Sequence, residues 1–365
     1  MAYTTIDDPS AHFQTALYTG NATQRNITND GNSDLQPDWV WIKCRSAAEA
    51  NMLYDSSRGV TKDLRSETTA ANNTNAQGLQ AFNSDGFQIG TLQNVNFNTK
   101  TMVAWQWKAN GGTTTSQTGS DIDSVTQVNA DAKFSIVTYS SPSNATADGS
   151  NNGGAYWRVK HGLGSVPKVA IFKSTSNVHA WYVWHHRFVG ASKSDGDHIT
   201  LNTVGAMASE SGNILWGNTE WSSTEFEIGG WNVINRSGQS YIGYLFDEVQ
   251  GYSKFGSYIG NGSADGTFVY TGFKPAWIMV KRTDGGSTGW IIYDTARDTF
   301  NEADAVLQAH VTTAEVTAAD IDILSNGWKF RTTDNAANGS GATYIYMAFA
   351  ESPFVSSEGV PTTAR

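Results

Sequence analysis

Residues 37–45 read PDWVWIKCR, residues 167–173 read PKVAIFK and residues 275–282 read PAWIMVKR. Laid over each other at the proline, these runs place Trp39, Val169 and Trp277 together, and Lys43, Lys173 and Lys281 together. A strand with one wet face alternates apolar and polar residues. From the second residue after the proline up to the lysine every position is apolar, which describes a strand covered on both sides. Proline fits the first residue of such a strand, where its missing N–H costs little. The chain must therefore supply two covering layers to each of three equivalent strands.

The agreement continues around each run. Upstream stand FQTALYTGN at 13–21, FSIVTYSSPSN at 134–144 and FGSYIGNG at 255–262. Downstream come LYDSSRG (53–59), YVWHHRF (182–188) and IIYDTARD (291–298), then SDGFQIG (84–90), TEFEIGG (224–230) and SNGWKFR (325–331). TMVAWQW (101–107), SYIGYLF (240–246) and TYIYMAF (343–349) close the blocks. The same order over three windows predicts duplication. The period exceeds the roughly 20–50 residues of a solenoid repeat, so the copies are tandem globular modules. Short strand-like runs joined by Gly, Asn, Ser and Thr turns, such as 144–154 and 335–341, predict an all-β chain. We expect three tandem antiparallel β-sandwich modules, jelly-roll or concanavalin-like, with little helix. Their bounds are 11–110, 132–250 and 251–354, with an N-terminal arm at 1–10 and a C-terminal tail at 355–365. Residues 111–131, rich in Gly, Ser and Thr, read as a flexible linker. Asn301 followed by acids predicts a helix over 301–310, and 46–59 has room for one or two helical turns.

Composition excludes several functions. The formal net charge is −10 and no basic run exists, which argues against nucleic acid. The lone cysteine, Cys44, excludes an intrachain disulfide and reads as a small core residue. The first ten residues, MAYTTIDDPS, lack the basic and apolar regions of a signal peptide. No segment approaches the about 20 apolar residues of a membrane helix. No nucleophile elbow, P-loop or zinc spacing is present.

Three local patterns point to chemistry. Glu225 and Glu227 flank Phe226 on one strand face, the spacing of a glycosidase acid/base pair, against the alternative of a solvated face. Asp30, Asn32 and Asp34 begin like a calcium loop, but Leu35 and Trp41 occupy the positions where an EF-hand needs Gly and Glu, so a plain turn is preferred. Trp181, Tyr182, Trp184, His185, His186, Trp216, Trp221 and Trp231 gather in the middle third of the chain. They form a candidate recognition or interface patch, with core packing as the alternative. His185 also stands where the other copies have Asp55 and Asp294, so an Asp–Arg pair available there is missing here. No catalytic, metal-binding or cofactor-binding residue is assigned.

These blocks, above all GYSKFGSYIGNG (251–262) and YMAFAESPF (346–354), resemble a repeated β-module of unknown function in structural, tail-fibre-like proteins of marine tailed bacteriophages. The resemblance implies a non-enzymatic virion protein, fibre-like, made in a host cytoplasm and exposed on the particle. Its implied partners are other virion proteins, a host-surface glycan and itself, as a homo-oligomer for which analogy suggests a trimer. The alternatives are a capsid decoration protein without receptor binding and a glycan-degrading tail spike acting through Glu225 and Glu227.

Overall fold

The computed structural model describes residues 2–145, 156–188, 196–210 and 215–362. The expected turn at 144–154 thus falls mostly outside the described residues. The chain is nearly all-β, and its strands form three main sheets. The first has the order β1 (Phe13–Thr19), β9 (Thr101–Trp107), β3 (Trp39–Cys44), β4 (Met52–Asp55), β5 (Lys62–Arg65) and β6 (Asn73–Thr74). The second runs β10 (Thr115–Gln117), β11 (Ser124–Asn129), β12 (Phe134–Ser140), β18 (Ser240–Phe246), β14 (Val169–Ser174), β15 (Tyr182–His185) and β16 (Ile199–Thr200). The third runs β19 (Ser253–Ile259), β26 (Thr343–Pro353), β21 (Phe273–Arg282), β22 (Ile291–Asp294) and β23 (Ala303–Gln308), and continues through β24 (Val316–Leu324) and β25 (Gly327–Phe330) to β20 (Phe268–Tyr270).

One five-strand order recurs: β1-β9-β3-β4-β5, β12-β18-β14-β15-β16 and β19-β26-β21-β22-β23. The registers agree as well, because Trp39 faces Trp107, Val169 faces Phe246 and Trp277 faces Phe349. A smaller layer accompanies the first two sheets: β2 (Arg25–Ile27), β8 (Phe87–Ile89) and β7 (Leu79–Phe82) in one, β13 (Trp157–Lys160) and β17 (Glu225–Ile228) in the other. The described helices are a 3-10 turn at Pro9–Ala11 and one turn at Gln93–Asn96. None is long and apolar enough to cross a membrane.

The first and third doubly apolar runs each serve two cores, whereas Val169, Ala170, Ile171 and Phe172 of the second all belong to one. Val40 and Ile42 pack with Tyr54, Phe87 and Ile89 in a core private to the first sheet and its small layer. Trp39 and Trp41, on the opposite face of β3, belong to a second core shared by all three sheets. Likewise Ile278 and Val280 face a private core, while Trp277 and Met279 face the shared one. At the shared centre Trp39 stacks on Tyr244 at 4.4 Å, Trp107 meets Trp277 edge-on at 5.5 Å, and Phe246 meets Phe349 at 5.7 Å. Each pair joins a different two of the three sheets.

Several expectations change. Residues 111–131 are not a free linker: β11 pairs along β12, and β10 pairs on β11. The start of that segment is pinned by the Asp38 carboxylate, which accepts from the amides of Ala109, Gly111 and Gly112 at 2.7–2.8 Å. Residues 303–308 form a strand instead of a helix, since Ala303, Ala305 and Leu307 turn to the inside and the segment bonds β24. In 46–59 the ordered element is β4. Pro275 sits two residues inside β21, at a slip in register, instead of at its start. The N-terminal arm and C-terminal tail meet, with Asp7 accepting from the Ser357 amide at 2.7 Å.

Candidate functional site

The geometry that recurs in all three parts lies where the sheets meet. Lys43, Lys173 and Lys281 follow the shared-core residues on the same strand face, and all three are fully buried. Each ammonium reaches a carbonyl in a loop of the neighbouring sheet. Lys43 Nζ donates to Thr312 O at 2.8 Å, Lys173 Nζ to Thr69 O at 3.1 Å and Lys281 Nζ to Val204 O at 3.2 Å. Two residues past each lysine, the carbonyls of Arg45, Thr175 and Thr283 accept from the amides of Glu315, Asn72 and Met207 at 2.8–3.0 Å. Every loop residue moves on by three as every strand residue moves on by two. First onto third, second onto first and third onto second, the contacts run in one sense and close a ring.

The same sense governs the aspartates. Asp55 is held by Arg58 and accepts from Tyr244 Oη of the second sheet at 2.8 Å. Asp294 is held by Arg297 and accepts from Trp105 Nε1 of the first sheet at 2.9 Å. Tyr244 and Trp105 share a register position, which in the third sheet is Met347. Methionine has no hydrogen to donate. Opposite it stands His185, whose Nε2 meets the Tyr346 carbonyl at 3.1 Å instead. Donor ring and acceptor acid are replaced together, 162 positions apart, which accounts for the missing aspartate.

Burial pushes the Lys43 and Lys281 ammonium groups down to about 8 and Lys173 to about 7. A depressed lysine binds its proton more weakly folded than unfolded, so the unfolded chain carries more protons between the folded value and about 10.4. Stability therefore rises with pH across that window. The Cys44 thiol, pushed up by burial, opposes this from about pH 9, and the buried tyrosines oppose it from about pH 10. The clean interval is pH 7 to 9. Denaturant titrations across it should show at least about 2 kcal/mol more stability at the upper end, and Lys173→Met should lower the slope, most between pH 7 and 8, while Lys43 and Lys281 keep the rest. A flat wild-type profile would show that the lysines titrate normally.

The residues singled out from sequence are placed as follows. Trp181, Trp184, Trp216 and Trp221 are buried, and Trp231 is half-buried. Trp181 Nε1 donates to Arg65 O of the first sheet at 2.9 Å, and Trp216 Nε1 to Asp197 O at 2.8 Å. Trp184 packs on Trp216 and Trp221, and Tyr182 on Trp231. The aromatic surplus thus mostly fills the second sheet's core and its contact with the first, with Trp231 left partly exposed. His185 and His186 do not point to opposite faces as adjacent strand residues would, because the strand ends at His185. Both rings turn to the third sheet, with His186 Nε2 at 2.7 Å from Phe255 O.

Glu227 is buried and accepts from the amides of Asn218 and Thr219 and from the Thr219 hydroxyl at 2.6–2.9 Å. Glu225 is half-buried and accepts from Ser120 Oγ at 2.7 Å. The pair fastens loops, and Arg158 approaches Glu227 at 3.7 Å. In the turn at 30–34, the Gly31 amide donates to Gln14 Oε1 at 3.0 Å. No group of three or more His, Cys, Asp or Glu is placed to hold a metal among the described residues.

A polar cleft of ≈830 Å³ opens between the first and second sheets. Lys62, Asn72, Gln117, Asp123, Thr138 and Ser176 line it. Its tyrosines, Tyr139 and Tyr241, are buried and spend their hydroxyls on Ile234 O and Asn232 O. Hydroxyls and amides, with Arg58 and Lys62 balanced by Asp121 and Asp123, suit a neutral polar ligand. Sequence reasoning missed this cleft because its walls come from the segment read as linker and from two separate sheets.

A family model described as a domain of unknown function, DUF7483, matches residues 8–353. No curated protein and no solved structure matches.

Proposed function

Because the chain belongs to the DUF7483 family, a domain of unknown function, we propose its role from its own geometry: a non-enzymatic structural component of a tailed-phage particle, fibre-like and exposed, that contributes to host-surface attachment. In this reading the three parts are copies of one β-sandwich module, near 11–110, 132–250 and 253–354, closed into a ring within one chain. The recurring strand order and the one-way lysine contacts support duplication. The likeness of the repeated blocks to tail-fibre-like proteins supports the virion setting.

The observation that carries the reading is the division between inside and outside. The buried lysines, the Asp–Arg pairs and most of the large rings join the sheets, and the cleft between the first and second sheets is lined mainly by hydroxyls and amides, with Arg58, Lys62, Asp121 and Asp123 among them. Such a surface would hold a glycan by hydrogen bonds, and no histidine or cysteine stands among the described residues that line it. The ring also changes the oligomer argument. An aromatic excess that closes three modules within one chain no longer requires three chains.

Gold-labelled antibody against the chain should decorate intact particles of the encoding phage at a discrete location, and absence from purified particles would overturn the virion assignment. Host polysaccharide incubated with the protein should release no new reducing ends. Release abolished by Glu227→Gln would establish the spike enzyme instead. Binding to host glycan should weaken at least about tenfold in Lys62→Ala, or about 1.4 kcal/mol.

A further inference from the structure

The ring has three equivalent grooves, and they are treated in three different ways. Each lies between the edge of the strand that opens a sheet (β1, β12 or β19) and the turn that follows the aspartate or histidine of the neighbouring sheet. The turns are matched by one bond: the amides of Ser56, Thr295 and His186 donate to the carbonyls of Asp38, Ala276 and Lys168, each at 2.9 Å. The edges are matched by register, which makes Thr15, Ile136 and Phe255 equivalent.

In an antiparallel ladder alternate residues turn their N–H and C=O away from the partner. His12 O accepts from Lys108 N and Gly20 N donates to Lys100 O, one residue beyond either end of β9, so by alternation Phe13, Thr15, Leu17 and Thr19 face outward from β1. The equivalent outward groups are already occupied elsewhere. Ile136 pairs with Gln127 of β11, whose side chain donates to Ser56 and Ser57 Oγ at 2.9 and 2.7 Å across the groove. At Phe255, His186 Nε2 sits 2.7 Å from the carbonyl, and Glu248 accepts from the amide at 2.8 Å. At Thr15 the sheet ends, since β1 pairs with β9 alone among the described strands. A cleft of ≈400 Å³ lies there, walled by Phe13 and Thr15 on one side and Thr295 and Ala296 on the other. The Thr15 hydroxyl is buried with no partner among the described residues.

We propose that this third groove is a strand-acceptor site, filled by an extended segment of another protein chain that adds to β1 antiparallel as β11 adds to β12. The chain itself specifies the chemistry. The segment that fills the equivalent groove, Ser124–Asn129, is SVTQVN, uncharged and built of β-branched and small polar residues. Main-chain hydrogen bonds supply the affinity of such an addition, and alternate side chains supply its selectivity. A residue opposite Thr15 would reach the Thr15 and Thr295 hydroxyls, as Gln127 reaches Ser56 and Ser57. Lys274 and Glu351 of the lining are paired to each other, which leaves Asp30 as the remaining charged side chain of the cleft and disfavours an acidic strand. An open edge of this kind is otherwise a liability that proteins cover or blunt.

The test uses the full chain and a synthetic peptide of residues 122–131, IDSVTQVNAD. With peptide in excess, amide exchange at Thr15 and Leu17 should slow by about tenfold or more. A peptide carrying Gln127→Pro, which lacks the central ladder donor, should give no slowing. Thr15→Pro in the full chain removes only an outward N–H, so the fold should survive while protection is lost. Should that variant fail to fold, Ala296→Trp fills the cleft from the opposite wall and must also abolish protection. The proposal is overturned if the peptide slows no β1 amide, if the proline peptide slows them equally, or if β1 is already protected in a self-associated form without peptide.

Discussion

Trp107→Ala should destabilise the whole chain by about 3–5 kcal/mol and loosen all three sheets at once. Trp107 touches Phe13 and Trp39 within its own part of the chain, and Trp277 and Phe349 of the third sheet. Through Trp39 it bears on Tyr244 and Phe246 of the second. Removing the ring leaves a cavity at the one place where all three sheets meet, and the rigid strands around it can collapse only in part. Amide exchange in β14 and β21 should accelerate along with exchange in β3. If acceleration stays within the first sheet, the shared core does not couple the parts.

The second large effect comes from restoring the commoner residue. His185→Asp gives the second sheet the acid that the other two carry, and should cost about 3 kcal/mol or more at neutral pH. The position of Arg58 and Arg297 is filled by Phe188, which packs on His185. The position of Trp105 and Tyr244 is filled by Met347, so the new carboxylate finds neither the buried guanidinium nor the ring donor of the other two sheets, and keeps only the Arg187 amide that now donates to His185 Nδ1 at 3.1 Å. Burial would raise the pKa of this carboxyl group in the folded state. The cost should therefore grow as pH rises above about 4, where the unfolded acid ionises. Adding Phe188→Arg should recover part of the loss. A neutral single variant would mean that the His185 bond to Tyr346 O contributes nothing and that the paired replacement of donor and acceptor is coincidence.

The repeated runs made a large part of this fold legible. Equivalent strands, their doubly apolar faces and the common place of the lysines followed from spacing alone. What lay opposite each lysine did not, because Thr312, Thr69 and Val204 stand in loops without pattern and contribute only backbone. The 111–131 segment was misread for a physical reason: its Gly, Ser and Thr content hides SVTQVN, whose alternation matters only once a sheet edge is offered to it. Residues 301–310 carry a helix N-cap signal, yet Ala303, Ala305 and Leu307 also keep period two, and the neighbouring β24 decided between them. The tryptophans of the middle third were visible as an excess. Which way they faced was not, since a core ring and a surface ring are written with the same letter.

The account stands on one claim, that the three sheets close into a single ring around a shared core instead of hanging as three beads. Scanning calorimetry of the purified chain tests it directly. One endotherm is expected, with a calorimetric enthalpy equal to the van't Hoff enthalpy, because no sheet can keep its shared face dry after another has left. Two or three resolved endotherms, or a calorimetric enthalpy several times the van't Hoff value, would contradict it.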